Sequence, residues 1–242
     1  MPPNGGKCAK YARASPGYDI QMLSSGGSDR VRRVHLVRHG EVDNPQRIVY
    51  GRLSGYPLTA AGHAMATASA TSFATNGRPV ARLISSPLER ARQSAKPWAE
   101  IFDLPIEQNE ALIEASSKLE GGQFDVSLSI LARPEAWPLL VNPFRPSWGE
   151  PFAEVAARIV QELLAANDEP ADGDVVMVSH QLPIWMAHRV AVGRPLFHDP
   201  RRRRCALSSI TSFEVLDGKI IEVGYDESAW VRASGITDAG AV

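Results

Sequence analysis

Short β-branched runs alternate with helical patterns along this chain of 242 residues, and that alternation leaves few folds open. Strands are predicted for three apolar runs rich in valine, at 31–37, 80–84 and 174–178. Helical patterns accompany them at about 60–76, 87–102, 150–166 and 181–193. Strands that alternate with helices are typical of a parallel sheet covered on both faces. We therefore predict an α/β fold, a three-layer α/β/α sandwich with a mainly parallel sheet.

Two of the predicted helices have recognisable starts. Thr59 stands where it can cap the first helix. The helix at 87–102 follows Ser86, and Glu89 completes a Ser-x-x-Glu capping box with Pro87 at the first helical position. Its apolar residues recur at steps of three and four, which predicts one face packed against the sheet.

The final part of the folded sequence has a different pattern from the rest. Two strand-like runs, at 208–216 and 219–225, are joined by Asp217-Gly218. An Asp-Gly pair between two such runs is a strong hairpin signal. The sequence therefore predicts an antiparallel edge on the otherwise parallel sheet.

We predict a single domain over residues 31–230, with a small cap around 119–150 that covers the functional site. The first 30 residues include twelve that are glycine, proline or serine, and they show no apolar periodicity. Such a segment cannot bury enough apolar surface to offset its ordering entropy, so 1–30 is predicted to be a disordered tail. Residues 231–242 are predicted to form a second tail.

Composition argues against several classes of function. Lys and Arg number 26 and Asp and Glu number 27, so a formal net charge of −1 gives no bulk attraction to nucleic acid or anionic membrane. No apolar run approaches the ~20 residues of a membrane span. Cys8 and Cys205 match neither a disulfide framework nor a zinc site. We expect a cytoplasmic protein whose partner is a small molecule, while the sequence does not indicate the oligomeric state.

Polar residues follow three of the predicted strands directly. Arg38 and His39 come after the first strand, and Arg90 follows the second within the first turn of the next helix. His180 comes after the third. Ligands of open α/β sheets bind outside the carboxyl ends of the strands, so these side chains are expected to meet. Two arginines and two histidines beside helix N-termini predict an anion site, for which phosphate is the natural ligand.

The same residue types suggest a reaction. A neutral histidine can attack phosphorus and form a covalent intermediate. Arginines and a second, protonated histidine can neutralise charge on the transferring phosphoryl group. A nearby carboxyl group would protonate the leaving alcohol and later activate water.

Three segments in order carry a family resemblance. They are Leu-Val-Arg-His-Gly-Glu at 36–41, Ser-Ser-Pro-Leu-Glu-Arg-Ala-Arg-Gln-Ser at 85–94, and Val-Ser-His at 178–180. Together they resemble the signature segments of the histidine phosphatase superfamily, also called phosphoglycerate-mutase-like, over about residues 31–225. The resemblance implies that His39 is the nucleophile that accepts the phosphoryl group. It also implies that Arg38, Arg90 and His180 form the phosphate pocket.

The acid of that family lies in a Leu-x-Glu segment before a Glu-Gly pair. This chain has Leu112-Ile113-Glu114 followed by Glu120-Gly121, so the resemblance makes Glu114 the catalytic acid and base. Two other carboxylates, Glu41 and Glu110, are alternative candidates.

Two further residues are predicted to contact the substrate. Family members often carry an asparagine seven residues after the first motif arginine, whereas Asn44 lies six residues after Arg38. Arg52 falls in a stretch that resembles the family's loop after the first strand. Four consecutive arginines, Arg201 to Arg204, form what we term the arginine run. It has two interpretations, a rim of positive charge at the pocket mouth or an ordinary solvated loop.

The residues and the resemblance predict a phosphomonoesterase that needs neither a metal ion nor another cofactor. Cofactor-dependent phosphoglycerate mutase is the first alternative, since it would use the same pocket. Mutases of this family follow the acid with a basic, tyrosine-containing segment, which residues 115–118 lack. A non-catalytic module that binds a phosphorylated ligand is the second alternative.

Overall fold

A six-stranded sheet forms the centre of the fold in the computed structural model, which describes residues 31–122, 149–168 and 172–231. In chain order the strands are β1 (Val34–Arg38), β2 (Val80–Ser85), β3 (Ile106–Gln108), β4 (Asp174–Ser179), β5 (Ile210–Leu216) and β6 (Lys219–Asp226). They lie side by side in the order β3-β2-β4-β1-β5-β6. The first four strands pair in parallel, and β5 and β6 add an antiparallel hairpin. The predicted mainly parallel sheet with an antiparallel edge is confirmed.

Helices cover both faces of this sheet. The helices are α1 (Ala60–Ala74), α2 (Glu89–Phe102), α3 (Phe152–Asp168), α4 (Gln181–Ala191) and the short α5 (Ser228–Val231), with single 3-10 turns at Glu110–Leu112 and Pro200–Arg202. Alternate residues of β1 face opposite sides. Leu36 packs in a core with α3 and α4, whereas Val37 packs in a second core with α1 and α2. The three-layer α/β/α arrangement therefore follows from strands that are apolar on both faces.

The structure corrects one predicted helix start. Thr59 caps α1 as expected, because its side chain accepts a hydrogen bond from the amide of Gly62. In contrast, α2 begins at Glu89 rather than Pro87, and its N-cap residue Leu88 makes no side-chain capping bond. The predicted role of Ser86 as the N-cap residue was wrong: its hydroxyl accepts a hydrogen bond from the amide of Leu88 at 3.4 Å, ahead of the helix, and lies 2.8 Å from Nε2 of His180.

Several predicted features fall outside the described residues. They are the tails at 1–30 and 231–242, apart from Val231, and most of the cap around 119–150. The domain boundaries therefore stay a prediction. Within the described part of the chain, no helix combines the length and the apolar character that crossing a membrane requires.

A buried ionic cluster ties together the amino ends of the strands, at the edge opposite His39. The carboxylate of Asp174 accepts hydrogen bonds from two Arg78 nitrogens and from the amide of Arg33. It also lies 3.0 Å from Nε2 of His35, whose Nδ1 is 2.8 Å from the hydroxyl of Ser212. Burial alone would raise the pKa of Asp174, but the bonds from Arg78 and His35 outweigh it and hold that pKa well below its usual range. Burial also lowers the pKa of His35, although Asp174 offsets part of this shift.

We expect Asp174→Asn to lower the free energy of unfolding by about 3 kcal/mol, because the amide leaves Arg78 without its buried anion. Both Asp174 and His35 have lower pKa values in the fold than in the unfolded chain. The unfolded chain therefore binds more protons than the fold, through His35 as the pH falls below about 7 and through Asp174 as it falls below about 5, so stability is lost between about pH 7 and about pH 3. Urea unfolding across this range measures both effects.

The matched control for this prediction is Glu214→Gln, which removes a partly exposed ion pair with Arg33. That change should alter stability by less than about 1 kcal/mol. Between about pH 5 and about pH 3, where Asp174 titrates in the unfolded chain, a stability–pH slope that is equally steep in Asp174→Asn and in the wild type would contradict the assignment to Asp174.

Candidate active site

The strand ends bring the predicted pocket residues together. Arg38 pairs in register with Ser179, which places both chain segments at the same edge of the sheet. The ring centroids of His39 and His180 lie 5.2 Å apart. All four predicted pocket side chains are fully buried: Arg38, His39, Arg90 and His180. The structure thus gathers residues from three segments that are distant in the sequence.

The ring of His39 is held in one tautomer. Its Nδ1 lies 2.8 Å from the carbonyl oxygen of Gly40. A carbonyl can only accept, so Nδ1 carries the hydrogen and Nε2 keeps its lone pair. Burial lowers the pKa of His39 well below its ordinary value, and the charges of Arg90 and Arg38 lower it further. Burial and these two charges therefore favour the neutral ring, which is the form that a nucleophile needs.

The turn after His39 depends on close backbone packing. A Cβ atom on Gly40 would lie only 2.3 Å from the carbonyl oxygen of Gly62 in α1, so no larger residue fits. The amide of Gly40 donates to the hydroxyl of Ser94, and that hydroxyl donates to the carbonyl oxygen of Arg90. These bonds fix the position of His39 relative to the first turn of α2.

Arg90 is anchored by a tyrosine that the sequence patterns did not indicate. The centre of its guanidinium group lies 4.7 Å above the ring of Tyr50, and Nη2 donates to the carbonyl oxygen of Gly51 at 2.6 Å. Burial lowers the pKa of Arg90, while Tyr50 and Glu114 partly offset this shift. On the other side of the site, Nη1 of Arg38 donates to the carbonyl oxygen of Cys205 at 2.6 Å.

His180 differs from the expectation of a protonated second histidine. Burial lowers its pKa well below the ordinary value, and the charges of Arg90 and His39 add to the effect. Burial and these charges therefore disfavour the protonated form of His180, whereas a phosphate dianion beside the ring would raise its pKa again. Two buried nitrogens in this pocket, Nδ1 of His180 and Nε of Arg90, have no hydrogen-bond partner within the described residues. Buried polar atoms of this kind carry a free-energy cost that a bound anion would offset.

Glu114 lies near this pocket, since its charge acts on the guanidinium group of Arg90. It lies just after the turn at Glu110–Leu112, and it is only 2% exposed. The hydroxyl of Ser179 donates to the carbonyl oxygen of Leu112 at 2.7 Å, which ties the acid's loop to the end of β4. Of the alternative candidates, Glu110 is exposed and Glu41 accepts a hydrogen bond from the Thr59 hydroxyl.

The two predicted substrate contacts have other partners in the structure. The side chain of Asn44 bonds to both the amide and the carbonyl of Ile48, and so braces its own loop. Nε of Arg52 donates to the carbonyl oxygen of Glu114, and Nη2 donates to the carboxylate of Glu150. Arg52 therefore lies beside the candidate acid. Substrate contact by either residue stays a prediction.

The arginine run lies beside the same edge, because β5 starts next to the end of β1. Arg201 and Arg204 pair with nearby carboxylates. Arg203 donates from Nη1 to the side chain of Gln181 at 3.0 Å, and Gln181 directly follows His180 in the chain. Arg201, Arg202 and Arg204 are exposed and Arg203 is half-buried, so both interpretations of the run stay predictions.

Among the described residues, no three or more His, Cys, Asp or Glu side chains form a group that could hold a metal ion. The positive charge at this edge of the sheet comes from Arg38 and Arg90, both of which are fully buried. Two guanidinium groups and two histidine rings at one edge of the sheet are suited to binding an anion.

Comparisons with known proteins agree with this geometry. The sequence model of the histidine phosphatase superfamily (branch 1) matches residues 34–227. "Uncharacterized protein Rv0525" of Mycobacterium tuberculosis is 44% identical over 198 residues, which cover 81% of this chain and 96% of that protein. "Probable phosphoglycerate mutase GpmB" of Escherichia coli is 29% identical over 214 residues, which cover 85% of this chain and 91% of that one.

A solved structure shares the fold as well. The mycobacterial glucosyl-3-phosphoglycerate phosphatase Rv2419c, in complex with VO3, superposes with a TM-score of 0.62 at 26% identity. The match covers 79% of this chain and 96% of that one. With the family model spanning almost all of the described sheet and helices, the chain belongs to the histidine phosphatase superfamily.

Proposed function

We propose that this protein is a metal-independent phosphomonoesterase that works through a phosphohistidine at His39. The observation that carries the proposal is the setting of the His39 ring, which is buried, bonded through Nδ1 to the carbonyl oxygen of Gly40, and subject to the charges of Arg90 and Arg38. Its Nε2 is thus a nucleophile held between two arginine charges. The guanidinium groups of Arg38 and Arg90 supply the positive charge that a metal ion provides in other phosphatases, so the proposal requires no cofactor.

In the first step, Nε2 of His39 attacks phosphorus on the side opposite the leaving alcohol. A P–N bond forms and the P–O bond to the alcohol breaks. Arg38, Arg90 and His180 stabilise the charge on the phosphoryl oxygens. Glu114 gives its proton to the departing oxygen, so that the alcohol leaves as a neutral molecule.

In the second step, the Glu114 carboxylate takes a proton from water, and the resulting hydroxide attacks phosphorus. The P–N bond breaks, inorganic phosphate leaves, and His39 returns to its neutral form. Glu114 is again protonated, so the cycle is balanced. The alternation of one carboxyl group between acid and base requires only that Glu114 stay near the leaving oxygen, and its buried loop position supports this.

Phosphoglycerate mutase is the second candidate, and the Escherichia coli relative that bears this name favours it. A mutase would share the first step but return the phosphoryl group to a substrate hydroxyl instead of water. It would also need groups that hold the substrate carboxylate. The four residues after Glu114 include one lysine and no tyrosine, and the mycobacterial structural relative is a phosphatase. These observations favour hydrolysis.

Release of inorganic phosphate from a panel of phosphomonoesters, assayed with EDTA present, tests the proposal. The panel should include phosphoglycerates, a sugar phosphate, phosphoserine and p-nitrophenyl phosphate. Interconversion of the two monophosphoglycerates that outpaces phosphate release would identify a mutase. Tight vanadate binding with no turnover of any ester would identify a binding module, and loss of turnover in EDTA would contradict the metal-independent chemistry.

The arginine run yields a prediction about substrate charge. Arg202 is exposed, and Arg203 contacts the residue next to His180. We expect the double change Arg202→Gln and Arg203→Gln to raise KM for a multiply charged substrate about fivefold, and to weaken its dependence on salt. KM for p-nitrophenyl phosphate should change much less. Steady-state kinetics at two ionic strengths provides the measurement.

The control for the arginine run is Arg201→Gln. Arg201 makes two hydrogen bonds to the carboxylate of Asp199, so its charge is already paired at a solvent-exposed position. That change should leave KM for every substrate close to the wild-type value. An equal rise in KM for Arg201→Gln and for the double variant would show that only general surface charge matters.

A further inference from the structure

A carboxylate outside the phosphate pocket lies between two arginines. Oε2 of Glu150 is 2.8 Å from Nη2 of Arg52, and Oε1 is 3.0 Å from Nε of Arg158. Arg158 makes a second contact with this carboxylate through Nη2 at 3.3 Å. The Glu150 side chain is 13% exposed, so the shared carboxylate is largely shielded from water, while Arg52 is 35% exposed. We call these three side chains the Glu150 triad.

Both arginines of the Glu150 triad also bond to the loop that carries the candidate acid. Nε of Arg52 donates to the carbonyl oxygen of Glu114 at 2.7 Å. Nη1 of Arg158 donates to the carbonyl oxygen of Ala111 at 2.6 Å. Residues 111–114 are therefore held at both ends by guanidinium groups that share one carboxylate.

The backbone around Glu150 joins the same loop. The amide of Glu150 donates to the carbonyl oxygen of Ser116 at 3.0 Å, and Gly149 forms an isolated antiparallel bridge with Ser117. A Cβ atom on Gly149 would lie 2.7 Å from the Ser116 carbonyl oxygen, so the two segments are in close contact. Glu150 thus approaches the acid's loop through both its backbone and its side chain.

We propose that Glu150 is a positioning residue, which fixes the carboxyl group of Glu114 by orienting Arg52 and Arg158. This role rests on the proposed phosphatase function, in which Glu150 would hold Glu114 where it can protonate the leaving oxygen. A planar guanidinium group that binds a carboxylate and a carbonyl oxygen at once has little freedom to rotate. If the shared carboxylate is removed, two cations face each other, and the bonds to Ala111 and Glu114 lose their common anchor.

The predicted consequence is specific to one kind of substrate. An alkyl phosphomonoester needs a proton on its leaving oxygen, whereas the p-nitrophenolate of an aryl ester departs without one. A displaced Glu114 therefore slows the alkyl ester selectively. For Glu150→Gln we expect kcat/KM on an alkyl phosphomonoester to fall about tenfold, since small displacements of a catalytic group have effects of this size. The same constant for p-nitrophenyl phosphate, and the affinity for vanadate, should stay within about twofold of wild type.

Three further variants complete the experiment. Glu214→Gln breaks a comparable Arg–Glu pair near the opposite edge of the sheet, and it should leave kcat/KM for both esters at the wild-type value. Glu114→Gln combined with Glu150→Gln should be no slower on the alkyl ester than Glu114→Gln alone, because positioning has no effect once the acid is gone. Arg52→Lys keeps the charge but lacks the planar group that bonds to both the Glu114 carbonyl oxygen and the Glu150 carboxylate. It should therefore lower kcat/KM for the alkyl ester selectively, as Glu150→Gln does. Arg52→Lys also tests the positioning role if Glu150→Gln fails to fold.

The outcomes separate the two proposals. If the wild-type protein hydrolyses neither ester, the proposed function fails. If it hydrolyses both, but Glu150→Gln and Arg52→Lys slow them equally or not at all, the function stands and the positioning role is overturned. A rise in KM for every ester in Arg52→Lys, with the ratio between esters unchanged, would also overturn it and would make Arg52 a direct substrate contact.

Discussion

Replacing His39 with alanine is expected to lower kcat/KM for every phosphomonoester by on the order of 10⁴ or more. Without the imidazole no P–N bond can form, and only the binding contributions of Arg38, Arg90 and His180 remain. The fold should survive, because the change removes a side chain whose one described hydrogen bond runs to the neighbouring Gly40. Hydrolysis rates, together with thermal unfolding curves, measure both parts of this expectation.

Chemical trapping tests the same residue directly. After a short reaction with ³²P-labelled ester and an alkaline quench, wild-type protein should carry acid-labile, base-stable phosphate on His39. The control is His63→Ala, since His63 is an exposed histidine on α1. That variant should keep wild-type labelling and rate. Near-normal turnover in His39→Ala would contradict the covalent mechanism.

The location of the site could be predicted from the sequence because a parallel sheet gathers its strand ends. The strands predicted at 31–37 and 174–178 correspond to β1 and β4, which the structure pairs in parallel, so the residues that follow them meet at one edge. Local patterns suffice for this prediction, since β-branched runs identify the strands and the chain direction shows which end of each parallel strand is the carboxyl end. The antiparallel hairpin was predictable for a similar reason, because Asp217 and Gly218 both adopt the positive φ that its tight turn requires.

The roles of Ser86 and Tyr50 could not be predicted in this way. Ser86, followed by proline and then by a glutamate three residues away, satisfies every local rule for a helix cap. The structure instead uses its hydroxyl beside His180, 94 residues further along the chain. Tyr50 lies in a loop without periodicity, so only the folded structure shows it beneath the guanidinium group of Arg90.

Long-range charge pairing explains why Arg52, predicted to contact the substrate, bonds to Glu150 in the structure. Arg52 stands in a loop that resembles a substrate-binding segment, and its bonding partner Glu150 is 98 residues away. Sequence patterns record the charge of each residue but not which charges pair, because pairing depends on how the loops cross the sheet edge. For this reason the Glu150 triad was not visible before the structure, whereas the phosphate pocket was.

Glu114→Gln is expected to separate the two steps of the reaction. For an alkyl ester kcat/KM should fall about 10³-fold, because the amide cannot protonate the leaving oxygen. For p-nitrophenyl phosphate kcat/KM should change by less than about threefold, since this constant reports only the first step and nitrophenolate needs no proton.

The second step should still be slow in Glu114→Gln, since no base activates water. An aryl ester is therefore expected to give a burst of one nitrophenolate per protein molecule, followed by slow turnover, with phosphate trapped on His39. Glu110→Gln is the matched control, because Glu110 is an exposed carboxylate four residues away in the same loop, and it should behave as wild type. Equal losses of kcat/KM on both esters without a burst would show that Glu114 is not the acid and base. Glu41 would then be the next candidate for that role. A burst on the aryl ester together with a large loss on the alkyl ester can arise only if one group serves both steps, which is the assignment that the buried position of Glu114 supports.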